Sequence, residues 1–163
     1  MEPADPYVGA MWIAQTRCQV SAGVAVPPAH VRDFYTDLHN MTLVHPLVES
    51  VDCVHRRRDS TGEYRDYRVK DRIPIGPLTL SVAYRASVLI TPEGTVKTEA
   101  RQFPQVRLSG VVTFAPTGTG TTITEDIEIS APRPLVAFTV SQAVKAHTAM
   151  LAQIGAYFEN NPA

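Results

Sequence analysis

Glu125 and His147 are the two side chains best placed to do chemistry. In 121–131, Ile123, Ile127 and Ile129 alternate with Thr122, Thr124, Asp126 and Glu128, and Glu125 falls on the isoleucine face. A carboxylate turned toward an apolar interior loses hydration and needs a partner. A carboxylate so placed is suited to acid or base work. His147 interrupts a second apolar stripe of Val136, Val140, Val144, Leu151, Ile154 and Phe158, whose steps of three and four are the period of a helix. An imidazole there can donate to a ligand oxygen or move a proton near neutral pH. If the two meet across a cavity, they form its polar focus. Each also has a structural reading. Glu125 can be wetted or hydrogen-bonded near an end of its sheet, the commoner fate. His147 can be a core histidine bonded to a strand hydroxyl or backbone, an even alternative.

Other chemistry-bearing residues lack company. His39 and His45 flank a turn-like stretch broken at Pro46, and a metal site there needs further ligands that the chain does not supply, so no metal is expected. Tyr67 and Tyr84 either offer phenols to a ligand or pack as aromatics with satisfied hydroxyls. Cys18 and Cys53 make neither a metal cluster nor a CxxC pair and read as reduced thiols of a cytoplasmic protein. GxGxxG, GxSxG and HExxH patterns are missing, and no cofactor is expected.

The elements that must hold these residues follow from period and punctuation. Residues 16–26 alternate as a strand, Pro27–Pro28 end it, and Pro28 starts a short helix to about Asp37. Residues 39–49 form a second short helix or irregular turn. From Ser50 the period is two, with strands near 50–58, 63–73, 77–91, 94–103, 105–115 and 121–131, broken by Gly, Pro and Asp turns too short for crossovers. The strands therefore pair antiparallel. A helix from about Pro134 to Asn160, roughly 40 Å long at 1.5 Å per residue, closes the chain. Its stripe needs a broad curved sheet to lie on.

The chain has 163 residues, 15 Lys plus Arg and 16 Asp plus Glu, for a formal net charge of -1. That balance argues against general nucleic-acid binding. Without an apolar run of 18 residues, no integral membrane segment is expected. Residues 1–15 read as a flexible leader, acidic and proline-rich from Met1 to Pro6 and unlike a secretory signal, and 16–163 as a single domain. Arg56, Arg57, Arg58, Arg65, Arg68, Lys70 and Arg72 make a basic hairpin, expected to be a solvated face. An anionic partner or membrane surface is disfavoured there, because the cluster is short and the chain near neutral.

This layout resembles the START-like, helix-grip (SRPBCC) superfamily, in particular its polyketide cyclase/dehydrase and lipid-transport branch. Three stretches carry the likeness: Val24 to Asp37, a strand running into a proline-started helix that ends in Asp; His45 to Val51, where the second helix leads into the second strand; and the C-terminal helix. The resemblance implies an α+β helix-grip fold. A curved, antiparallel, seven-stranded sheet would wrap round the long helix, with two short helices between strands 1 and 2. It also implies a cavity between sheet and helix, gated by the short helices around 28–49.

Alternation then selects the lining: Tyr67 and Val69; Leu80, Val82 and Tyr84; Thr98 and Ala100; Leu108 and Val112; and Glu125. Val140, Val144 and His147 come from the helix. This mostly apolar set suits a small-molecule pocket. The expected activity is binding of a hydrophobic small molecule (lipid, polyketide or isoprenoid-like) by a monomer or homodimer. The alternative is a cyclase, aromatase or dehydrase acting on a poly-ketone chain, with Glu125 and His147 as its catalytic pair. A scaffold role using the basic hairpin is a third reading.

Overall fold

The computed structural model describes residues 12–162. Most of the expected leader, residues 1–11, lies outside them. The element order is β1 (Ile13–Val24), α1 (Pro28–Thr36), a 3-10 turn (Leu38–Asn40), α2 (Met41–Val44), β2 (Val48–Asp59), β3 (Gly62–Ile75), β4 (Leu78–Ile90), β5 (Val96–Gln102), β6 (Val106–Thr117), β7 (Gly120–Pro132) and α3 (Arg133–Asn160). Each element expected from the sequence is present. β1 begins three residues earlier than its alternation suggested, because Ile13 to Gln15 pair with Pro132 to Ser130.

Every strand pairs antiparallel, in the order β1-β7-β6-β5-β4-β3-β2. The sheet curves. Glu125 on β7 and Asp71 on β3 are four strands apart, about 19 Å on a flat sheet at ~4.8 Å per strand, yet both line one cavity of about 190 Å³. The long helix lies in the concavity, mainly over β1 and β7. Leu151 and Ile154 are its most deeply buried side chains, at 1% and 0% exposure.

The short helices cover the concave side between the two edge strands. Pro28 sits in the first turn of α1, where its missing N–H costs nothing. Val31, Phe34 and Tyr35 are buried, and Phe34 packs on Tyr157 and Phe158 of α3 at 4.5 and 5.4 Å between ring centroids. At the helix end, the Thr36 carbonyl accepts from Arg65 Nη1 at 3.0 Å and Tyr67 Oη at 3.3 Å, which satisfies one of the carbonyls a helix leaves open.

Most of the basic hairpin is paired from within. Glu63 accepts from Arg58 and Arg65, each at 2.6 Å, and those bonds hold its carboxyl down at about 2. Glu49 lies 3.4 Å from Lys70 and 3.7 Å from Arg72. The cations of this cluster are exposed, as expected of a solvated face, except Arg65, whose side chain is 13% exposed.

Because the long helix is anchored by its C-terminal half, truncation there should be costly. Ile154→Ala is expected to lower unfolding free energy by about 2–5 kcal/mol. Val111→Ala, on the exposed convex face, should change it by no more than about 0.5 kcal/mol. Urea unfolding of the two variants checks the contrast.

Candidate functional site

Glu125 enters the interior because β7 alternates without interruption, so the residue between Ile123 and Ile127 must face inward. Its cross-strand neighbours are Val20 and Val112, both buried. It is 1% exposed, and such a carboxylate survives only with partners. Two are supplied. Tyr35 Oη donates to Oε1 at 2.5 Å, and His147 Nδ1 lies 2.7 Å from Oε2. The pair foreseen across the cavity is formed, with a phenol from α1 as third member.

With Nδ1–H donated to Glu125, the His147 Nε2 is left for the cavity that the ring lines. Burial depresses the imidazole pKa, but the Glu125 hydrogen bond, the Glu125 charge and the Asp71 charge outweigh it and raise the value above 6.5. The phenol of Tyr35 is pushed well above its ordinary range by burial and by the adjacent carboxylate, so it stays a donor. His45 stands edge-on to His147, with ring centroids 5.7 Å apart. Burial and the neighbouring imidazole lower its pKa to about 3. Its Nδ1 accepts from the Leu47 N–H at 3.3 Å, which places its proton on Nε2. His45 is thus a neutral wall residue.

A second polar centre faces the first. Asp71 on β3 is 6% exposed and lines the cavity. Tyr84 Oη donates to both of its oxygens, at 3.2 Å each. Burial raises the Asp71 pKa to about 6, against the opposing effects of the Tyr84 hydrogen bond and the His147 charge. On β3 Asp71 shares the inward face with Tyr67, Val69 and Ile73, the same alternation that turns Glu125 inward on β7. Its role as a site residue was missed, as was that of Tyr35, visible in the sequence only as a member of an apolar helix face.

The rest of the cavity wall is mostly apolar. Val69, Tyr84, Thr98, Ala100, Leu108, Val112, Glu125 and His147 line it as expected. Thr98 owes its place to Gly110 opposite, where a Cβ would come within 2.4 Å of the Thr98 hydroxyl. Five expected residues lie elsewhere. Tyr67 is fully buried and spends its hydroxyl on the end of α1. Leu80 and Val82 lie beyond Arg85, the last β4 residue paired with β5, on a ribbon that outruns the sheet, and Leu80 is 51% exposed. Val140 and Val144 pack against the core. The helix turns a different face to the cavity, with Thr139, Gln142, Ala143, Ala146 and Met150 beside His147. The reason is volume: small side chains at 143 and 146 leave the hollow that the valines fill on their own side.

Among the described residues no three His, Cys, Asp or Glu side chains gather as a metal set, and no helix is long and apolar enough to cross a membrane.

Two titrations follow. Asp71 has a folded pKa above its unfolded value, so its ionisation destabilises the fold as pH rises from about 4 through 6. Asp71→Asn should therefore be more stable than the natural chain at pH 7, by roughly 1–3 kcal/mol, and no more stable below pH 4. Thermal melts across pH check this. The raised His147 pKa acts in the same direction, through the gain of a positive charge and not the loss of a negative one. Its stabilising proton is fully bound below 6.5, and the contribution is lost as pH rises through the folded value. In Glu125→Gln the charge is gone and burial remains, so the His147 midpoint should fall below 6.5 in an NMR titration.

The geometry has relatives. The family model described as polyketide cyclase / dehydrase and lipid transport matches residues 15–159. Among curated protein sequences none matches. Among solved structures, the chain is similar to TTHA0849 from Thermus thermophilus, at TM-score 0.70 and 16% identity, over 92% of this chain and 100% of that one. It is also similar to the di-domain ARO/CYC BexL of the BE-7585A biosynthetic pathway, at TM-score 0.69 and 17% identity, covering 86% of this chain and 49% of BexL. The Zhui aromatase/cyclase from Streptomyces sp. R1128 matches at TM-score 0.65 and 13% identity, over 90% and 94%. At these identities the structural likenesses speak for the helix-grip fold, whereas the family match covers nearly the whole chain: this protein belongs to the polyketide cyclase/dehydrase and lipid transport family.

Proposed function

We propose that the protein binds a hydrophobic small molecule, of lipid, polyketide or isoprenoid-like kind, between the sheet and the long helix. The supporting observation is the cavity itself: an apolar wall on which two hydrogen-bonded acid centres, Tyr35–Glu125–His147 and Tyr84–Asp71, converge. Apolar burial at roughly 25 cal/mol per Å² would hold the guest, and His147 Nε2 would fix its oxygen-bearing end. The volume of about 190 Å³ compares with about 150 Å³ for a cavity that takes benzene. A larger guest would extend toward Phe138, the most exposed lining residue at 41%. The short helices would form the cover and not the gate, since their inward residues are buried in the core. Two free thiols, Cys18 and Cys53, fit a reducing, cytoplasmic setting.

An enzymatic reading has one specific observation in its favour: a carboxylate-backed imidazole with a free nitrogen lies within electrostatic reach of a carboxyl whose pKa is near 6. On a poly-ketone chain, neutral His147 would take a proton from a methylene between two carbonyls. The carbanion pair would form a C–C bond to a distant carbonyl carbon, and protonated Asp71 would give its proton to the resulting alkoxide. Dehydration would then return the His147 proton to the departing hydroxyl as water, while Asp71, now a carboxylate, would take the Cα proton. Each group ends in its starting state.

Displacement of 1-anilinonaphthalene-8-sulfonate, with a poly-ketone turnover assay alongside, separates the two readings. Ala143→Leu fills the hollow and should weaken probe binding about tenfold or more while the fold survives, as judged by far-UV circular dichroism. His147→Ala should weaken probe binding by no more than about tenfold, the worth of one hydrogen bond. Loss of turnover in that variant would select the enzyme. Unchanged probe binding in Ala143→Leu would remove the cavity from consideration.

A further inference from the structure

Outside the cavity, the sheet register brings four arginines abreast. Arg68 on β3 stands opposite Arg85 on β4, Arg85 opposite Arg101 on β5, and Arg101 opposite Arg107 on β6. All four are exposed. At ~4.8 Å per strand the row spans about 14 Å. Like charges directly opposite destabilise a sheet, so the arrangement costs the fold something. Glu99 offsets part of it, pairing with Arg101 and, at 2.7 Å, with Arg107. Asp52 stands opposite Arg68 at the outer end. Arg68 and Arg85 have no ion-pair partner among the described residues.

The row belongs to an end of the molecule that is unusually apolar. Phe103, 91% exposed, follows Arg101 by two residues and shares a shallow groove with all four arginines. Trp12, 61% exposed, lies three residues beyond Gln15, which Ser130 links to Arg107 in the same cross-strand line. Leu135 and Phe138, both exposed, sit just past the junction where β7 turns into α3 at this end. The β3–β4 ribbon projects further and carries exposed Ile75, Leu78 and Leu80. Phe138 also lines the cavity, so the hollow reaches this same end.

We propose that this end docks on an anionic lipid bilayer, with the arginines on lipid phosphates and Phe103 and the ribbon tip in the boundary between headgroups and acyl chains. Exposed aromatic and aliphatic side chains beside cations are the pattern of an interfacial anchor. A second copy of the chain fits less well, because facing copies would oppose the same positive rows. An acidic protein partner would match the charge but leave the spread of apolar residues without a role. The proposal goes beyond ligand binding and holds whatever the cavity carries.

The test is co-sedimentation of the full chain with vesicles of phosphatidylglycerol and phosphatidylcholine, against pure phosphatidylcholine. Binding is expected to the anionic vesicles alone and to weaken with salt. Each cation near such a surface is worth about fivefold in partitioning, so Arg85→Glu, which exchanges a cation for an anion, should lower it about 25-fold. The same change relieves the repulsion with Arg68 and Arg101, so the melting temperature should hold or rise. A residue with a merely structural role would move the other way. Phe103→Ser should also weaken vesicle binding, with probe binding in the cavity unchanged. Equal binding to neutral vesicles, no binding to either, unaltered binding by Arg85→Glu, or capture by soluble polyglutamate in place of vesicles would each overturn the proposal. So would concentration-dependent dimerisation that Phe103→Ser abolishes.

Discussion

The structure depends on a carboxylate that water does not reach. Glu125 could not be tolerated between Ile123 and Ile127 without donors on both of its oxygens, and no single element can supply them. One comes from α1 through Tyr35, the other from α3 through His147. The three elements are thereby tied at one point, and the position of each helix over the sheet is set by hydrogen bonds as well as by apolar packing. Breaking one partner leaves a buried charge half-satisfied, which is far costlier than losing an exposed ion pair. The same bond that secures the fold also determines which imidazole nitrogen the cavity meets.

The hollow exists because the helix changes character along its length. Toward its C-terminus, Leu151 and Ile154 fill the space to the sheet, and Phe34, Tyr157 and Phe158 close one end with tilted and edge-on rings. One or two turns earlier the inward residues are Ala143 and Ala146, and the sheet opposite offers Ala100 and Gly110. Side chains this small cannot bridge the gap, so the cavity is a consequence of volume deficit on both walls.

Period and punctuation made the fold legible: seven alternating segments, short turns and one long stripe leave few arrangements. They also exposed Glu125, because a carboxylate on an isoleucine face violates the local pattern. The same reasoning reached only part of the wall. Periodicity reports which residues share a face of the helix but not which part of that face meets the sheet and which meets the void, so Val140 and Val144 were placed in the cavity and Ala143 and Ala146 were not. It reports the inward side of β4 but not where β5 stops, so Leu80 and Val82 were assigned to a wall that on β4 ends at Tyr84. Asp71 carried the same signal as Glu125, weakened by a less regular strand.

The arginine row shows a different limit. Arg68, Arg85, Arg101 and Arg107 are scattered through forty residues, and only pairing register sets them side by side. In sequence, Arg68 belonged to a basic hairpin whose other cations then pair with Glu63, Glu49 and Asp59, leaving Arg68 out. Once the ladder is known, the molecule is seen to accept unfavourable electrostatics in two places: a desolvated Asp71 inside the cavity and adjacent cations outside it. Over most of the rest of the chain local propensity, packing and charge agree. Where a fold departs from that agreement without a compensating gain in stability, function is the first explanation to test, and here one departure lines the cavity while the other lies outside it, in the groove beside Phe103.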